Sequence, residues 1–225
     1  DVCSSDLQVN ALHSRALGDA AKTAEQNALK WADKLTTDSK ITQKAYKEKL
    51  GVDFEYMPSP IDTEKLDQIS IAEKNDKQIV YVGRDSYEKG IDILRRIDSQ
   101  IKRNVVYCTN LPWQKAMSTL KSSSILVVPS RMESLPTVVK EAFYLKIPVI
   151  ATSVGGIPEL VVHQKTGILV PPEDPQSLLS AINSLLENPQ EMERLTNNAF
   201  DFVNKNMTWY VWLPKYVEFY ERLLG

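Results

Sequence analysis

IVYVGRDSYEKGIDILRRI, residues 79–97, contains one complete folding unit of this chain. Residues 79–82 are apolar and β-prone without alternation, and residues 90–97 carry isoleucine and leucine at helical spacing. A strand that is apolar on both faces is typical of a parallel sheet covered by helices. The stretch therefore predicts one strand-loop-helix unit of an α/β domain.

The same order of strand and helix repeats along the rest of the chain. Further strands are predicted at residues 105–108, 125–128, 149–151 and 168–170. Helices are predicted at residues 113–121, 137–145, 158–162, 175–187, 191–204 and 210–224. Together they predict a Rossmann-like, doubly wound parallel sheet, whose ligands bind at the carboxyl ends of the strands.

The sequence Pro58-Ser59-Pro60 is a stiff connector and predicts a domain boundary. Before it, two segments have helical patterns, at residues 10–34 and 41–51, and two read as short strands, at residues 35–39 and 54–57. Residues 1–7, DVCSSDL, are what the end of a common sequencing-library adapter encodes. We expect them to be foreign to the fold, and the alternative is an ordinary polar tail.

The composition is ordinary for a soluble globular protein, with 43% hydrophobic and 25% charged residues among 225. A formal charge of −2 gives no global reason to expect nucleic acid as a partner. The apolar runs at residues 124–129 and 147–151 are too short to span a bilayer. The sequence has no Asp-x-Asp pair and no His/Cys cluster at metal spacing. We therefore expect a cytoplasmic protein that uses no metal.

The first candidate site is the loop that follows residues 79–82. Gly83 allows a sharp turn out of the sheet, and Arg84 and Lys89 stand at the two ends of the loop before Gly90. Two cations beside a helix N-terminus can bind a diphosphate. The alternative is a pair of solvated surface cations. The spacing is not that of a Walker loop.

The second candidate site is PSRMESLPTVVKEA, residues 129–142. Pro136 suits the first position of a helix, with Ser134 or Leu135 as its cap, and leaves the free N–H groups of Thr137 and Val138 at the sheet edge. Glu133 precedes that helix start and Glu141 lies in its second turn. Two carboxylates that flank an anion site can bind sugar hydroxyls on either side of a phosphate. The alternative is a capping acid and a surface glutamate.

Four stretches in order resemble the large retaining glycosyltransferases of GT-B fold, glycosyltransferase family 4 (glycosyl transferases group 1). They are residues 83–90, the Glu133/Glu141 pair at E-x7-E spacing, PVIATSVGGIPEL at residues 148–160 and TGILVPP at residues 166–172. The family more often has Asn where Ser59 stands. The resemblance implies the following division: residues 8–57 close a truncated N-terminal acceptor domain, residues 58–206 form the nucleotide-sugar-binding domain, and residues 207–225 form a crossover helix.

The resemblance also implies the role of each site residue. Glu133 would contact donor-sugar hydroxyls and Glu141 the ribose, while Arg84 and Lys89 would neutralise the leaving diphosphate in place of a metal. Arg84, Lys89 and Glu133 are thus the expected catalytic residues. The expected donor-binding residues are Gly83, Arg84, Lys89, Glu133, Leu135, Pro136, Thr137, Val138 and Glu141. No cofactor is expected beyond a UDP- or GDP-linked sugar donor.

The implied reaction transfers a sugar, with retention, to a saccharide or lipid-linked acceptor in cell-surface polysaccharide or glycoconjugate biosynthesis. We expect the full-length enzyme to work in the cytoplasm, associated with the inner face of the membrane. We also expect this chain to be inactive without the missing N-terminal domain. One alternative is a nucleotide-sugar-binding subunit that needs a separate catalytic chain. Another is a different GT-B enzyme, such as a nucleotide-sugar epimerase.

Overall fold

The computed structural model describes residue 27, residues 29–71 and residues 78–224. Residues 1–7 and most of the predicted helix at residues 10–34 lie outside this part of the chain. The described N-terminal segment forms a parallel strand pair and a helix: β1 (Thr36–Thr37), α1 (Lys40–Leu50) and β2 (Glu55–Tyr56). Ser39 begins α1, since its side chain accepts the backbone N–H of Thr42, and Gly51 ends it at a φ of 66°.

A short helix that the sequence analysis missed follows the connector, α2 (Thr63–Asp67). Its cap is Asp62, whose side chain accepts the backbone N–H of Lys65 at 3.1 Å. Five residues are too few to give a periodic apolar pattern. Next to α2, Ile61 donates its backbone N–H to the Met207 carbonyl at 2.8 Å, which ties the connector to the end of the chain.

The remaining elements alternate as the sequence predicts, and the predicted doubly wound α/β fold is confirmed. The strands are β3 (Gln78–Val82), β4 (Asn104–Cys108), β5 (Ile125–Val128), β6 (Val149–Thr152) and β7 (Ile168–Val170). The helices are α3 (Ile91–Ile97), α4 (Trp113–Ser122), α5 (Thr137–Tyr144), α6 (Ile157–Leu160), α7 (Pro175–Leu186), α8 (Pro189–Asn206) and α9 (Trp209–Leu224). Two short 3-10 turns are Tyr87–Lys89 and Asp98–Gln100.

All five strands are parallel, in the order β4-β3-β5-β6-β7. The chain leaves β3 for β4 on one side and then returns to β5 on the other side of β3. The loops that follow β3 and β5 therefore diverge and leave a crevice between them. In doubly wound sheets this switch point is where ligands bind.

Helices cover both faces of the sheet and bury an apolar layer on each. One layer joins α4, α5 and α8 to the sheet through Met117, Phe143 and Val203. The other joins α3 and α7 to it through Leu94 and Ile182. Because the strands are covered on both sides, residues 125–128 are all buried. This double cover holds the carboxyl ends of β3 and β5 in fixed positions.

The helix α5 begins at Thr137, as the predicted range 137–145 has it, but its cap differs from the prediction. Pro136 is the N-cap, with an extended ψ of 121°, and the helix begins at Thr137. Neither Ser134 nor Leu135 caps the helix, and no side chain bonds to its first N–H groups. The physical reason is that Ser134 bonds elsewhere, to the Asp38 carboxylate. The N–H groups at the start of α5 are therefore left without a side-chain cap.

The last helix, α9, is only partly covered. Trp212 and Phe219 are buried against Met57 of the N-terminal segment. Large apolar side chains on the rest of its surface are exposed: Trp209, Tyr210, Leu213, Val217, Tyr220, Leu223 and Leu224. Within the described residues, none of the helices combines the length and the apolar character that crossing a membrane requires.

Two glycines with left-handed backbone give a matched test of how closely the loops pack. Gly90 has a φ of 62°, and an added Cβ would lie 2.0 Å from the Pro129 carbonyl oxygen; Gly51 has a φ of 66° and open space around it. Gly51→Ala should lower the free energy of unfolding by about 1–2 kcal/mol through backbone strain. Gly90→Ala should lower it by about 1–3 kcal/mol more through the steric clash. Urea unfolding measures both, and equal losses would contradict the close contact.

Candidate functional site

The loops after β3 and β5 enclose a cavity of about 390 Å³ at the switch point. Of the predicted donor-binding residues, those that line it are Gly83, Arg84, Lys89, Glu133, Leu135, Pro136, Thr137 and Val138. The structure thus brings together two stretches that are about 50 residues apart in sequence. Glu141 is the one predicted residue that is not in this lining.

Lys89 and Glu133 meet directly across the cavity. The Lys89 ammonium lies 3.0 and 2.9 Å from the two carboxylate oxygens of Glu133. Ser130 donates its hydroxyl to Oε1 of the same carboxylate at 2.7 Å. The Glu133 side chain is only 7% exposed, so these partners replace the water that would otherwise solvate its carboxylate. The two residues that the sequence assigned to different chemical groups of a ligand therefore bind each other.

Arg84 lines the same cavity from the other end of the loop and is exposed. Its carbonyl oxygen accepts the Tyr81 hydroxyl at 2.6 Å, which fixes the backbone where the chain leaves the sheet. Gly83 extends the strand pairing by donating its N–H to the Cys108 carbonyl at 3.2 Å. Arg84 and Lys89 thus both border the same cavity, which is the arrangement that binding of one diphosphate requires.

The start of α5 forms a third wall of the cavity through Pro136, Thr137 and Val138. The first N–H groups of a helix have no partner within the helix and carry the positive end of its dipole. With Arg84 and Lys89, the cavity combines three sources of positive potential with two carboxylates, Glu133 and Asp38. Such a combination can bind a phosphate anion and a hydroxylated group beside it.

Glu141 lies in the second turn of α5 but away from this cavity. Its side chain is buried, and Oε1 accepts the indole N–H of Trp113 at 2.7 Å. Burial raises the pKa of the Glu141 carboxyl, and the Trp113 hydrogen bond opposes that rise. Trp113 packs on the core and also orients this carboxylate.

Six residues of the lining are outside the predicted donor-binding set: Asp38, Ser59, Val82, Val128, Ser130 and Ser134. Ser134 donates its hydroxyl to the Asp38 carboxylate, which belongs to the segment before the connector. Burial raises the pKa of Asp38, and the Ser134 bond opposes that effect. No local pattern could have identified Asp38, because its role depends on contact with a residue 96 positions away.

Two further polar features have structural partners. The turn at Gly155 and Gly156 packs against the carbonyl oxygens of Glu133 and Ser134, where added Cβ atoms would lie 1.7 and 1.9 Å away. It therefore supports the Glu133 loop. His163 accepts the backbone N–H of Leu169 through Nδ1 at 3.1 Å.

In the part of the chain that the structure describes, no group of His, Cys, Asp or Glu could hold a metal ion.

Lys140 is fully buried on α5, between the two glutamates in sequence. Its ammonium donates to the Ser59 carbonyl of the connector at 2.5 Å. Burial lowers the pKa of Lys140 to about 8, although the nearby Asp38 and Glu141 carboxylates oppose the shift. Lys140 therefore links the site helix to the domain boundary.

Known proteins resemble this chain in sequence and in fold. Residues 96–202, just under half of the chain, match the family model described as glycosyl transferases group 1. An uncharacterized glycosyltransferase of Methanocaldococcus jannaschii is 27% identical over 164 residues, 60% of this chain and 42% of that protein. A GDP-mannose-dependent monoacylated alpha-(1-6)-phosphatidylinositol monomannoside mannosyltransferase of Corynebacterium glutamicum is 33% identical over 126 residues, 53% of this chain and 32% of that protein.

The fold matches solved GT-B glycosyltransferases. Sucrose-phosphate synthase from Thermosynechococcus elongatus superposes with a TM-score of 0.83 at 20% identity, covering 98% of this chain and 66% of that one. The Anabaena protein HepE, solved in complex with UDP-glucose, superposes with a TM-score of 0.79 at 18% identity, covering 97% of this chain and 71% of that one. The chain spans less than half the length of the two curated relatives above.

The lowered pKa of Lys140 gives a testable pH dependence of stability. The folded chain releases this proton near pH 8 and the unfolded chain near the ordinary value of 10.5, so the unfolded state binds more protons between these values. Stability should therefore rise with pH in that window, by up to about 2 kcal/mol between pH 8 and about pH 9.5. Urea unfolding of the chain and of Lys140→Met, which lacks the titrating group, isolates this gain. Parallel pH profiles for the two proteins would contradict the burial of a charged Lys140.

Proposed function

We propose that this chain carries the donor site of a glycosyltransferase that transfers a sugar from a nucleotide diphosphate to a saccharide or lipid-linked acceptor. The observation that carries the proposal is the cavity at the switch point, where Arg84, Lys89, Glu133 and the start of α5 meet. The mannosyltransferase relative is named for GDP-mannose and a phosphatidylinositol mannoside. HepE was solved in complex with UDP and with UDP-glucose. These two proteins therefore support a donor linked to UDP or to GDP.

In this proposal the diphosphate is bound by Arg84, Lys89 and the free N–H groups at the start of α5. The diphosphate gains negative charge as the bond to the sugar breaks. Fixed cations and an oriented helix dipole stabilise that charge without having to reorganise. Arg84 and Lys89 thus take the part that a metal ion takes in other transferases.

Binding of the donor would exchange the partners of Lys89 and Glu133. In the structure the Lys89 ammonium and the Glu133 carboxylate balance each other's charge at 2.9 Å. A phosphate oxygen would take over the Lys89 ammonium, and sugar hydroxyls would donate to the freed Glu133 carboxylate. Ser130, which donates to Glu133 at 2.7 Å, would keep the carboxylate in place during the exchange. Glu133 is therefore the proposed sugar-binding residue.

Glu141 is the proposed ribose-binding residue. Its carboxylate is held by the Trp113 indole at 2.7 Å, so one oxygen is fixed while the other can accept hydroxyl groups. It stands on the helix whose N-terminus borders the diphosphate cavity. A nucleotide that extends along α5 from that cavity would reach it. Trp113 would then act by orienting Glu141.

The remaining parts of the proposal concern the whole enzyme. Residues 8–57 would close an N-terminal domain that binds the acceptor, residues 58–206 would bind the donor, and α9 would cross back to the first domain. Transfer with retention, as in the family that the motifs resemble, would require both domains. We also propose a role in the synthesis of cell-surface polysaccharides or glycoconjugates at the inner face of the membrane. The lipid-linked acceptor for which the mannosyltransferase relative is named supports this role.

The two glutamates should affect different ligands. Glu141→Ala should weaken binding of UDP or GDP and of the matching nucleotide sugar alike, because the ribose is common to both. Glu133→Ala should weaken only the nucleotide sugar. A lost hydrogen bond to a charged group corresponds to about tenfold to a hundredfold in affinity. Calorimetry on the two variants measures each ligand, and equal losses for both ligands in both variants would contradict the assignment.

Lys89 should be needed for turnover in the full-length enzyme. Lys89→Ala should lower turnover by roughly tenfold to a hundredfold, since one charge-assisted contact to the leaving group is lost. Added magnesium should not restore the rate. Lys102→Ala is the control, because Lys102 is also ion-paired, to Glu187, but does not line the cavity. Similar rates for the two variants would exclude Lys89 from the chemistry.

A further inference from the structure

Arg131, in the loop after β5, binds two carboxylates and does not itself line the cavity. Its side chain is only 9% exposed. The guanidinium forms a two-pronged contact with Asp92 of α3 at 2.6 and 2.9 Å. It also binds Glu173, in the loop after β7, through Nε and through Nη2, the latter at 3.2 Å. Arg131 therefore joins three separate elements of the domain.

The same residue also holds the turn that carries Lys89. Its Nη1 donates to the Tyr87 carbonyl at 2.8 Å, and its guanidinium stacks 4.0 Å from the centre of the Tyr87 ring. The backbone N–H groups of Arg131 and Met132 both donate to the Glu88 carbonyl, at 2.8 and 3.2 Å. The two residues directly before Lys89 are thus fixed by Arg131 and its neighbour.

On the other side of Lys89 the backbone is fixed by close packing. Gly90 lies so near the Pro129 carbonyl that an added Cβ would be 2.0 Å from its oxygen. Lys89 therefore stands between two anchors, both supplied by the loop after β5. From this position its ammonium reaches Glu133 at 2.9 Å. A shift of the turn by one ångström would remove that contact.

We propose that Arg131 is a positioning residue for diphosphate binding: it fixes the turn Tyr87–Lys89 so that the Lys89 ammonium stands opposite Glu133 and the start of α5. The inference rests on the proposed function of the cavity. Arg131 itself touches no ligand. Lysine could not replace it, because a single ammonium cannot bind two carboxylates and a carbonyl in one plane.

Because of the charges around Arg131, a substitution can distinguish positioning of Lys89 from simple attraction of an anion. One guanidinium is shared by Asp92 and Glu173, so the cluster has no excess positive charge to offer an anion. Glu173→Gln removes a negative charge near the cavity. By electrostatics alone this would strengthen binding of an anion. If Arg131 positions Lys89, the same substitution should weaken binding of the anion, because one of the two carboxylates that orient the guanidinium is lost.

The test is calorimetry on this chain with UDP, GDP and inorganic pyrophosphate as probes. Arg131→Met should weaken binding of these probes by about tenfold, and Glu173→Gln by about threefold. Arg96→Met is the matched control, because Arg96 carries the same charge and also binds Asp92, at 3.1 Å, but does not hold the Lys89 turn. It should bind the probes within about twofold of the unchanged chain.

A double substitution shows whether Arg131 acts through Lys89. The double variant Arg131→Met/Lys89→Met should bind the probes less than about twofold more weakly than Lys89→Met alone. Full additivity, tighter binding by Glu173→Gln, or equal affinities for Arg131→Met and Arg96→Met would each overturn the proposal. Absence of binding by the unchanged chain would instead count against the proposed function of the cavity.

A second measurement needs no nucleotide and remains valid if Arg131→Met weakens the fold. The rate at which an amine-reactive acylating reagent labels Lys89, followed by mass spectrometry, reports how firmly the ammonium is held. Both Glu173→Gln and Arg131→Met should raise that rate at least about threefold over Arg96→Met, because the Lys89 nitrogen must leave the Glu133 carboxylate and lose a proton before its lone pair can attack the reagent. Glu173 is half exposed, so its variant should fold. Unchanged labelling in the Glu173 variant would overturn the proposal.

Discussion

The contact of Lys89 with Glu133 joins the two loops on which the whole site depends. The Glu133 side chain is only 7% exposed, and its carboxylate is bound by the Lys89 ammonium and the Ser130 hydroxyl. These partners come from the ends of β3 and β5, which are neighbours in the sheet although far apart in the chain. The parallel order of strands therefore sets the distance between the cation and the acid.

Around this pair, each loop is supported from behind. Arg131 and the Pro129 carbonyl support the Lys89 turn, and the Gly155–Gly156 turn packs under the Glu133 loop. The N-terminal segment joins the same structure: Asp38 accepts from Ser134, and Glu159 accepts from Ser39 and from the backbone N–H groups that begin α1. Charged and polar contacts, more than apolar packing, connect that segment to the site.

The sequence predicted the sheet well because buried parallel strands are continuous apolar runs. In the five-stranded sheet, the bounds of β5 and β7 agree with the prediction to the residue, and those of β3, β4 and β6 differ by one residue at one end. Failures occurred where tertiary contacts outweigh local preference. The helix α2 depends on the Asp62 cap and packing of Leu66, and Ser134 leaves the start of α5 uncapped because it bonds to Asp38.

The sequence by itself determined the α/β class, the two loops with their cations and acids, and the likeness to a glycosyltransferase family, since each depends on residue type and short-range spacing. Only the tertiary structure decided which charges meet. It paired Lys89 with Glu133, separated Glu141 from their cavity, brought Asp38 to Ser134 and engaged Arg131 with Asp92 and Glu173. The reason is that an ionic contact acts over a few ångströms between atoms, whatever their separation in sequence, and the strand order sets those distances.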